Sequence, residues 1–193
     1  MRIHITGGPG AGKSTLSKLL ATKLDVEALD LDGRGLAELA RFSTPFDYEA
    51  IVAVRQDASA AFASAEAWIS EGSNILVAKP LLERADMIVV LYTPWRVASY
   101  RILMRHIKAT LARNNRFAGL HRLFRFWRWS ARFYSNSNPP GLNEWGTPTT
   151  EATMEDLLAP YNAKLTRCRT KDEIRMLLSS LTADSNPQAG SGA

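Results

Sequence analysis

Residues 1–15, Met1-Arg2-Ile3-His4-Ile5-Thr6-Gly7-Gly8-Pro9-Gly10-Ala11-Gly12-Lys13-Ser14-Thr15, decide the fold of this chain. Ile3 and Ile5 alternate with polar residues, which predicts a short β-strand. The segment Gly7–Ser14 fits the pattern G-x-x-x-x-G-K-[ST] at every fixed position. Leucines follow at helical spacing from residue 16 onward, which predicts a helix. The chain therefore begins with a strand, a glycine-rich turn and a helix.

This turn is typical of a phosphate-binding loop. Glycines can adopt positive φ and let successive N–H groups surround an anion, and the helix that follows directs its positive end at the same anion. In this pattern Lys13 binds the β- and γ-phosphates of ATP, and the Ser14 hydroxyl binds Mg²⁺. An ordinary turn before a helix is the alternative, but it has no need of Lys and Ser at these positions. The predicted nucleotide-binding residues are Gly7, Gly8, Pro9, Gly10, Ala11, Gly12, Lys13, Ser14 and Thr15.

The composition is that of an ordinary globular protein. The chain has 193 residues, of which 46% are hydrophobic and 22% are charged, so we expect one domain with a substantial core. No signal peptide is recognised, and no apolar run approaches the roughly 18 residues of a spanning helix. The single cysteine, Cys168, excludes an internal disulfide and is read as a small buried apolar residue. We expect a cytoplasmic monomer.

Charge is distributed unevenly along the sequence. The net charge is +5, yet no Asp or Glu occurs from Met87 to Asn143. Ten of the 24 Lys and Arg residues lie in this window, so the rest of the chain, with all 19 acidic residues, has a net charge of −5. The window is suited to a polyanionic partner, and nucleotide phosphates are the smallest example. The ten residues are Arg96, Arg101, Arg105, Lys108, Arg113, Arg116, Arg122, Arg125, Arg128 and Arg132.

Carboxylates follow two of the predicted strands. A strand within residues 25–33 ends in Asp30-x-Asp32, and a strand from Trp68 ends in Glu71-Gly72. In a parallel sheet these ends meet at one edge, where Asp30, Asp32 or Glu71 could assist Mg²⁺ or orient an acceptor hydroxyl. The alternative for each is a solvated turn residue. The apolar strand 86–92 does not end in an acid, so any metal-assisting carboxylate must come from these three.

The basic window contains two predicted helices. The first follows Thr93-Pro94, an N-cap and a first-turn proline, and runs to about residue 113. Arg101, Arg105 and Lys108 share one of its faces and could stabilise charge on a transferring phosphoryl group, or form a solvated face. The second helix, 120–134, carries six aromatic residues between its arginines. It could be a packing helix, a base-stacking surface, or a membrane-surface helix.

Alternating strands and helices predict a three-layer α/β fold with a five-stranded parallel sheet. The remaining predicted elements are helices at 36–42 and 47–67, one helical turn at 81–85, a loop at 135–150 that could move over the site, a helix at 151–158, a strand at 163–168, a helix from 170 to about 181 and a disordered tail.

The loop Gly7–Ser14 resembles that of adenylate-kinase-type nucleoside and nucleotide kinases. Trp68-Ile69-Ser70-Glu71-Gly72 is similar to their third strand, which commonly ends in Asp-Gly, and here Glu replaces Asp. Arg101-Ile102-x-x-Arg105 is similar to their basic helix before the lid. Over residues 1–181 the chain most resembles the adenylate-kinase-related DNA topology modulation (FlaR-type) proteins. The resemblance implies a P-loop kinase-like domain at 1–181, with a basic helical lid-like region at 94–150 and a tail at 182–193.

The resemblance also implies roles for individual residues. Lys13, Arg101, Arg105 and Glu71 form the implied catalytic set: Arg101 near the base or phosphates, Arg105 on the transferred phosphate, and Glu71 near the acceptor or the metal. Asp30 and Asp32 resemble the Asp-x-Asp of shikimate-type kinases more than the adenylate pattern. Three hypotheses remain. The chain is an ATP- and Mg²⁺-dependent nucleotide or small-molecule kinase, or a nucleotide-binding regulatory ATPase that contacts nucleic acid through helix 120–134. The third hypothesis is a peripheral membrane protein that uses the same helix.

Overall fold

A computed structural model of the chain describes residues 1–31, 48–113, 119–143 and 146–183. Five parallel strands form one sheet in the order β2-β3-β1-β4-β5. The strands are β1 Arg2–Gly7, β2 Ala28–Asp30, β3 Trp68–Glu71, β4 Met87–Leu91 and β5 Leu165–Cys168. The helices are α1 Lys13–Leu24, α2 Tyr48–Ala63, α3 Ile75–Arg84, α4 Trp95–Leu111, α5 Leu120–Tyr134, α6 Glu151–Leu158 and α7 Lys171–Ala183, with a 3₁₀ helix at Ala159–Lys164. The predicted α/β fold is confirmed.

The sheet is covered on both faces, which explains why its central strands are continuously apolar. Along β4, Ile88 and Val90 pack against α3 and α6, while Val89 and Leu91 pack against α1 and α7. β1 lies at the centre of the sheet, between β3 and β4. Its carboxyl end therefore opens between two neighbouring strand ends, where ligands gather in sheets of this kind.

Helix α3 is longer than the single turn expected at 81–85. Asn74 caps its first turn by accepting a hydrogen bond from the Val77 N–H at 3.1 Å. Pro80 lies inside the helix and has no N–H to donate to the carbonyl of Leu76, four residues earlier. The Gln56 side-chain amide donates to that carbonyl instead, at 3.0 Å. The helix therefore continues through a proline that, in sequence, indicates a helix boundary.

The other boundaries differ from the predictions by a few residues. The helix expected at 47–67 is Tyr48–Ala63, while the helices expected at 120–134 and 151–158 have those bounds. The helix expected at 36–42 lies outside the described residues. Of the tail expected at 182–193, the first two residues belong to α7, and residues 184–193 lie outside the described residues. Cys168 is buried, as expected. Within the described ranges, no helix combines the length and the apolar character needed to cross a bilayer.

His4 is fully buried in β1, and its Nδ1 lies 2.9 Å from the Ser70 hydroxyl of β3. Burial, with a smaller contribution from the charge of Lys13, lowers the pKa of His4 from 6.5 to about 3. The folded protein therefore keeps this ring neutral where the unfolded chain binds a proton.

We predict that this difference makes the fold sensitive to acid. Between about pH 6.5 and pH 3 the unfolded chain binds the extra proton, so the free energy of unfolding falls as pH falls through this window. The contribution has a limiting slope of about 1.4 kcal/mol per pH unit. Urea unfolding at several pH values should show a shallower slope for His4→Asn than for the parent chain. His121→Asn, at an exposed position, is the control and should leave the slope unchanged. Equal slopes for the parent and His4→Asn would contradict the prediction.

Candidate phosphate-binding site

The glycine-rich turn lies between β1 and α1 and comes very close to neighbouring backbone. Gly7 and Gly10 have φ values of 146° and 75°. A Cβ atom at Gly7 would lie 2.6 Å from the carbonyl oxygen of Leu91, and one at Gly10 would lie 2.8 Å from that of Ala98. Both positions therefore require glycine for space as well as for conformation. The backbone therefore has the conformation that the sequence pattern predicts.

Lys13 folds back over the loop from the first turn of α1. Its Nζ donates hydrogen bonds to the carbonyl oxygens of Gly7, at 3.1 Å, and Gly8, at 3.3 Å. The side chain is only 8% exposed, so its charge is held close to the loop. Ser14 follows on the exposed side of the same turn. A cation, a hydroxyl and the N-terminus of a 12-residue helix therefore lie together at the end of β1.

Every carbonyl from residue 7 to residue 12 accepts a hydrogen bond. Backbone N–H groups donate to Gly8 and Gly12, and side chains from several elements donate to the others. The side-chain donors, besides Lys13, are Ser73 to Gly7 at 3.0 Å, Tyr134 to Pro9 at 2.8 Å, Arg101 to Gly10 at 3.3 Å and to Ala11 at 2.9 Å, and Thr93 to Ala11 at 3.1 Å. Donors from other elements therefore hold the loop in its conformation by binding its carbonyl oxygens.

Two predicted carboxylates lie side by side at the end of the sheet. Glu71 of β3 is opposite Ile5 of β1, and Asp30 of β2 is opposite Glu71. Register partners in parallel strands point to the same face, and Ile5 packs on the α1 side of the sheet. Glu71, which is 2% exposed, therefore lies on the face that carries α1. β4, on one side of β1, does not end in an acid, whereas β3, on the other side, ends in Glu71.

The third predicted carboxylate, Asp32, lies outside the described residues. In the described part of the chain, no three His, Cys, Asp or Glu side chains cluster closely enough to hold a metal ion by themselves. The predicted oxygen ligands among the described residues are the Ser14 hydroxyl, in the first turn of α1, and the carboxylates of Asp30 and Glu71 at the sheet edge. Mg²⁺ prefers oxygen donors, and in such sites it is bound through one or two carboxylates together with substrate phosphates. The donor set fits that kind of site.

Arg101 supports the loop instead of projecting away from it. Its Nη1 donates to the carbonyls of Gly10 and Ala11. Arg105, one turn later on α4, lines a groove of about 620 Å³ that begins at Arg101. The groove is lined by Tyr100, Arg101, Met104, Arg105, Lys108, Ala109 and Ala112. The three cations predicted to share a face therefore line one groove, and Arg101 is the one of them that contacts the loop.

The carboxyl end of α5 packs directly on the loop. The Tyr134 hydroxyl donates to Pro9, and a Cβ atom at Gly8 would lie 2.7 Å from that hydroxyl. The Tyr134 ring lies 5.5 Å from the Trp95 ring, which is 5.4 Å from Trp127. Burial and the charge of Glu151 raise the pKa of Tyr134, so the hydroxyl keeps its proton. This half of the aromatic helix is a packing surface against the site.

Three of these contacts do not follow from local patterns in the sequence. The pattern predicts Thr93 as an N-cap, but Pro94 occupies that position and the Thr93 hydroxyl donates to the loop. Ser73 follows Glu71-Gly72 directly. Its position just after the end of a strand is the one local sign that its hydroxyl could reach the loop. Tyr134 had no local signal, because its partner Pro9 is 125 residues away.

The described part of the loop at 135–150 is attached to the body of the domain. Asn138 donates to the carbonyl of Trp129 in α5 at 3.4 Å, and the carbonyl of Gly146 accepts from the Ile75 N–H at 3.1 Å. Ile75 is the first residue of α3, directly after Ser73 and Asn74. The loop therefore lies against the turn that leads from Glu71 into α3.

The fold is similar to that of solved kinase structures. Shikimate kinase from Acinetobacter baumannii, in complex with shikimate, matches with a TM-score of 0.52 over 95% of this chain and 93% of that chain, at 16% identity. Shikimate kinase from Bacteroides thetaiotaomicron matches with a TM-score of 0.52 over 95% and 96%, at 18% identity. No protein-family model matches the chain, and no curated protein matches it in sequence. The similarity shows a P-loop kinase-like fold, and the narrower resemblance to FlaR-type proteins stays a prediction.

We predict that the Tyr134 hydroxyl stabilises the folded loop. Tyr134→Phe removes one hydrogen bond and leaves the Pro9 carbonyl without its side-chain donor, so the free energy of unfolding should fall by about 1 kcal/mol. Urea unfolding measures the change. Tyr100→Phe is the matched control, because Tyr100 is exposed on the neighbouring helix. The contact would have no energetic role if both variants were as stable as the parent.

Proposed function

We propose that the protein is an ATP- and Mg²⁺-dependent phosphotransferase that acts on a small molecule with a hydroxyl group. The observation that carries this proposal is the position of Lys13, folded over a six-carbonyl loop at the start of α1. The side chain lies on the same face of the sheet edge as the buried carboxylate of Glu71. A phosphate loop, a loop lysine and a neighbouring acid are the parts that phosphoryl transfer requires.

Each part has a role in this proposal. The loop N–H groups and Lys13 would bind the β- and γ-phosphates, with Ser14 at the magnesium site. Glu71, with Asp30 or Asp32, would bind magnesium-bound water or orient the acceptor hydroxyl. When bound, Mg²⁺ would neutralise charge that develops on the transferring group. Arg105 would add positive charge from the groove, and Arg101 would hold the loop carbonyls in place.

The choice of a small acceptor rests on two observations. The Asp30-x-Asp32 pair resembles that of shikimate-type kinases, and the described member, Asp30, lies beside Glu71 at the sheet edge. The structure with the same fold from Acinetobacter baumannii contains shikimate. A panel of acceptors should therefore include shikimate, other hydroxy acids, sugars and nucleoside monophosphates, each with γ-labelled ATP.

We predict that one class of acceptor in this panel becomes labelled and that Lys13→Ala abolishes the transfer. Loss of a charge at the β- and γ-phosphates should reduce turnover at least about 10²–10³-fold. The fold should persist, as measured by circular dichroism and thermal unfolding. Lys18→Ala, an exposed lysine on the same helix, is the control. Full activity of Lys13→Ala would contradict the proposal, and so would label that appears only as free phosphate.

We also predict that the charge of Glu71 is needed for the transfer. Glu71→Gln keeps the shape of the side chain and should lower kcat by about 10²-fold or more. If Glu71 acts through the metal, the Mg²⁺ concentration for half-maximal rate should rise as well. Glu66→Gln, exposed and just before the same strand, is the matched control. Unchanged kcat and unchanged Mg²⁺ dependence would exclude a role for this carboxylate in the reaction.

A further inference from the structure

The helices α4 and α5 form an antiparallel hairpin. Its end near the phosphate loop contains the buried residues, and its other end is exposed. Trp127 Nε1 donates to the Ser99 hydroxyl at 2.7 Å and fixes the pairing near the phosphate loop. All four buried residues of the two helices lie at this end: Ala98, Ile102, Ser130 and Phe133. The other end, residues 103–113 and 119–126, is here called the hairpin tip. The exposed large apolar residues of the tip are Leu103, Ile107, Leu111, Leu120, Phe124 and Phe126.

The apolar residues of the tip form regular stripes. Leu103, Ile107 and Leu111 recur every four residues on α4, and Leu120 and Phe124 do the same on α5. Leu111 is 79% exposed, Leu120 is 80% exposed and Phe124 is 59% exposed. Such stripes are normally covered by another part of the molecule, and contiguous exposed apolar surface marks an interaction site. No described residue covers these side chains.

The polar residues beside the stripes are basic. Arg113, Arg122 and Arg125 are exposed at the tip. The sequence has no Asp or Glu from Met87 to Asn143, and in the described ranges no carboxylate forms an ion pair with any of the three. Long arginine side chains can lie along apolar surface while their charged ends stay in a polar layer. The surface therefore fits a partner that is apolar inside and negatively charged outside.

We propose that the hairpin tip docks on an anionic lipid surface. Leucine and phenylalanine on one side of a helix with arginine on the other is the composition of helices that lie in a membrane interface. Anionic headgroups attract such basic segments, and the attraction acts within a Debye length of the surface. Docking through the exposed apolar side chains and arginines named above would leave the phosphate loop, at the opposite end of the hairpin, accessible to substrates. Arg105, which lines the groove with Arg101, is not among the docking residues.

The structure favours lipid over nucleic acid. Binding of single strands uses exposed aromatic rings on which bases stack. The two rings of the tip each stack on a neighbouring ring of α5: Phe124 lies 6.3 Å from Trp127, and Phe126 lies 6.2 Å from Trp129. Four of the six exposed apolar side chains of the tip are aliphatic, including the two most exposed, Leu111 and Leu120, and aliphatic side chains are not stacking platforms. A second copy of the chain is disfavoured as well, because two basic tips would repel each other.

Vesicle flotation with the full chain tests the proposal. We expect binding to phosphatidylcholine vesicles that contain about one third phosphatidylserine, weaker binding at high salt, and little binding to phosphatidylcholine alone. Leu111→Gln/Leu120→Gln should lower the partition coefficient about tenfold or more. Arg122→Gln/Arg125→Gln should remove the preference for anionic vesicles. All four side chains are exposed, so thermal unfolding should be unchanged.

Met176→Gln is the matched control, because Met176 is exposed on α7, away from the hairpin. It should bind vesicles like the parent chain. The absence of binding to anionic vesicles at low salt would overturn the proposal, as would equal binding to both vesicle types. Two further measurements identify other partners. Tighter binding to an oligonucleotide that the Arg122→Gln/Arg125→Gln variant loses would assign the surface to nucleic acid. A dimer that Leu111→Gln/Leu120→Gln dissociates would assign it to a second copy.

Discussion

The structure depends on hydrogen bonds to the outer side of the phosphate loop. When the N–H groups of a loop point inward to surround an anion, its carbonyl oxygens point outward and need donors. Here the donors come from β1–α1 itself, from the residues after β3 and β4, and from both hairpin helices. Because these elements are distant in sequence, the loop conformation depends on tertiary contacts from several parts of the domain.

The supports of the loop also differ between the two sides of β1, and the carboxylate of Glu71 lies on the side of β3. β1 has two neighbours, and an acid at the end of either strand would lie beside the loop. β4 ends in Leu91-Tyr92 and is followed by Thr93, whose hydroxyl supports the loop. That side of β1 is occupied by packing and by α4, whose backbone lies against Gly10. β3 carries Glu71 on the face of α1, and the next residues, Gly72 and Ser73, bring a hydroxyl to the Gly7 carbonyl.

Local patterns in the sequence predicted most of the fold and part of the site. The loop, the buried strand β4 and helix α5 have strong periodicity or a fixed motif, so their positions could be derived from a few neighbouring residues. The extent of α3 could not, since Pro80 is tolerated only because Gln56 donates to Leu76. The contact of Tyr134 with Pro9 could not either, because nothing near either residue specifies the other. Local signals predict the candidate phosphate-binding groups, whereas tertiary contacts identify the residues that hold the loop.

The hairpin shows how one sequence pattern can serve two surfaces. Arginine and aromatic residues alternate along α5 from end to end, so the pattern alone does not distinguish its halves. Packing does distinguish them, because Phe133 and Tyr134 lie on the loop while Leu120 and Phe124 are exposed. Both halves belong to one continuous helix. α4 is likewise continuous and joins Arg101, which contacts the loop, to the tip. Any displacement of the tip by a bound partner must therefore alter the contacts of Arg101 and Tyr134 with the loop, or be opposed by them.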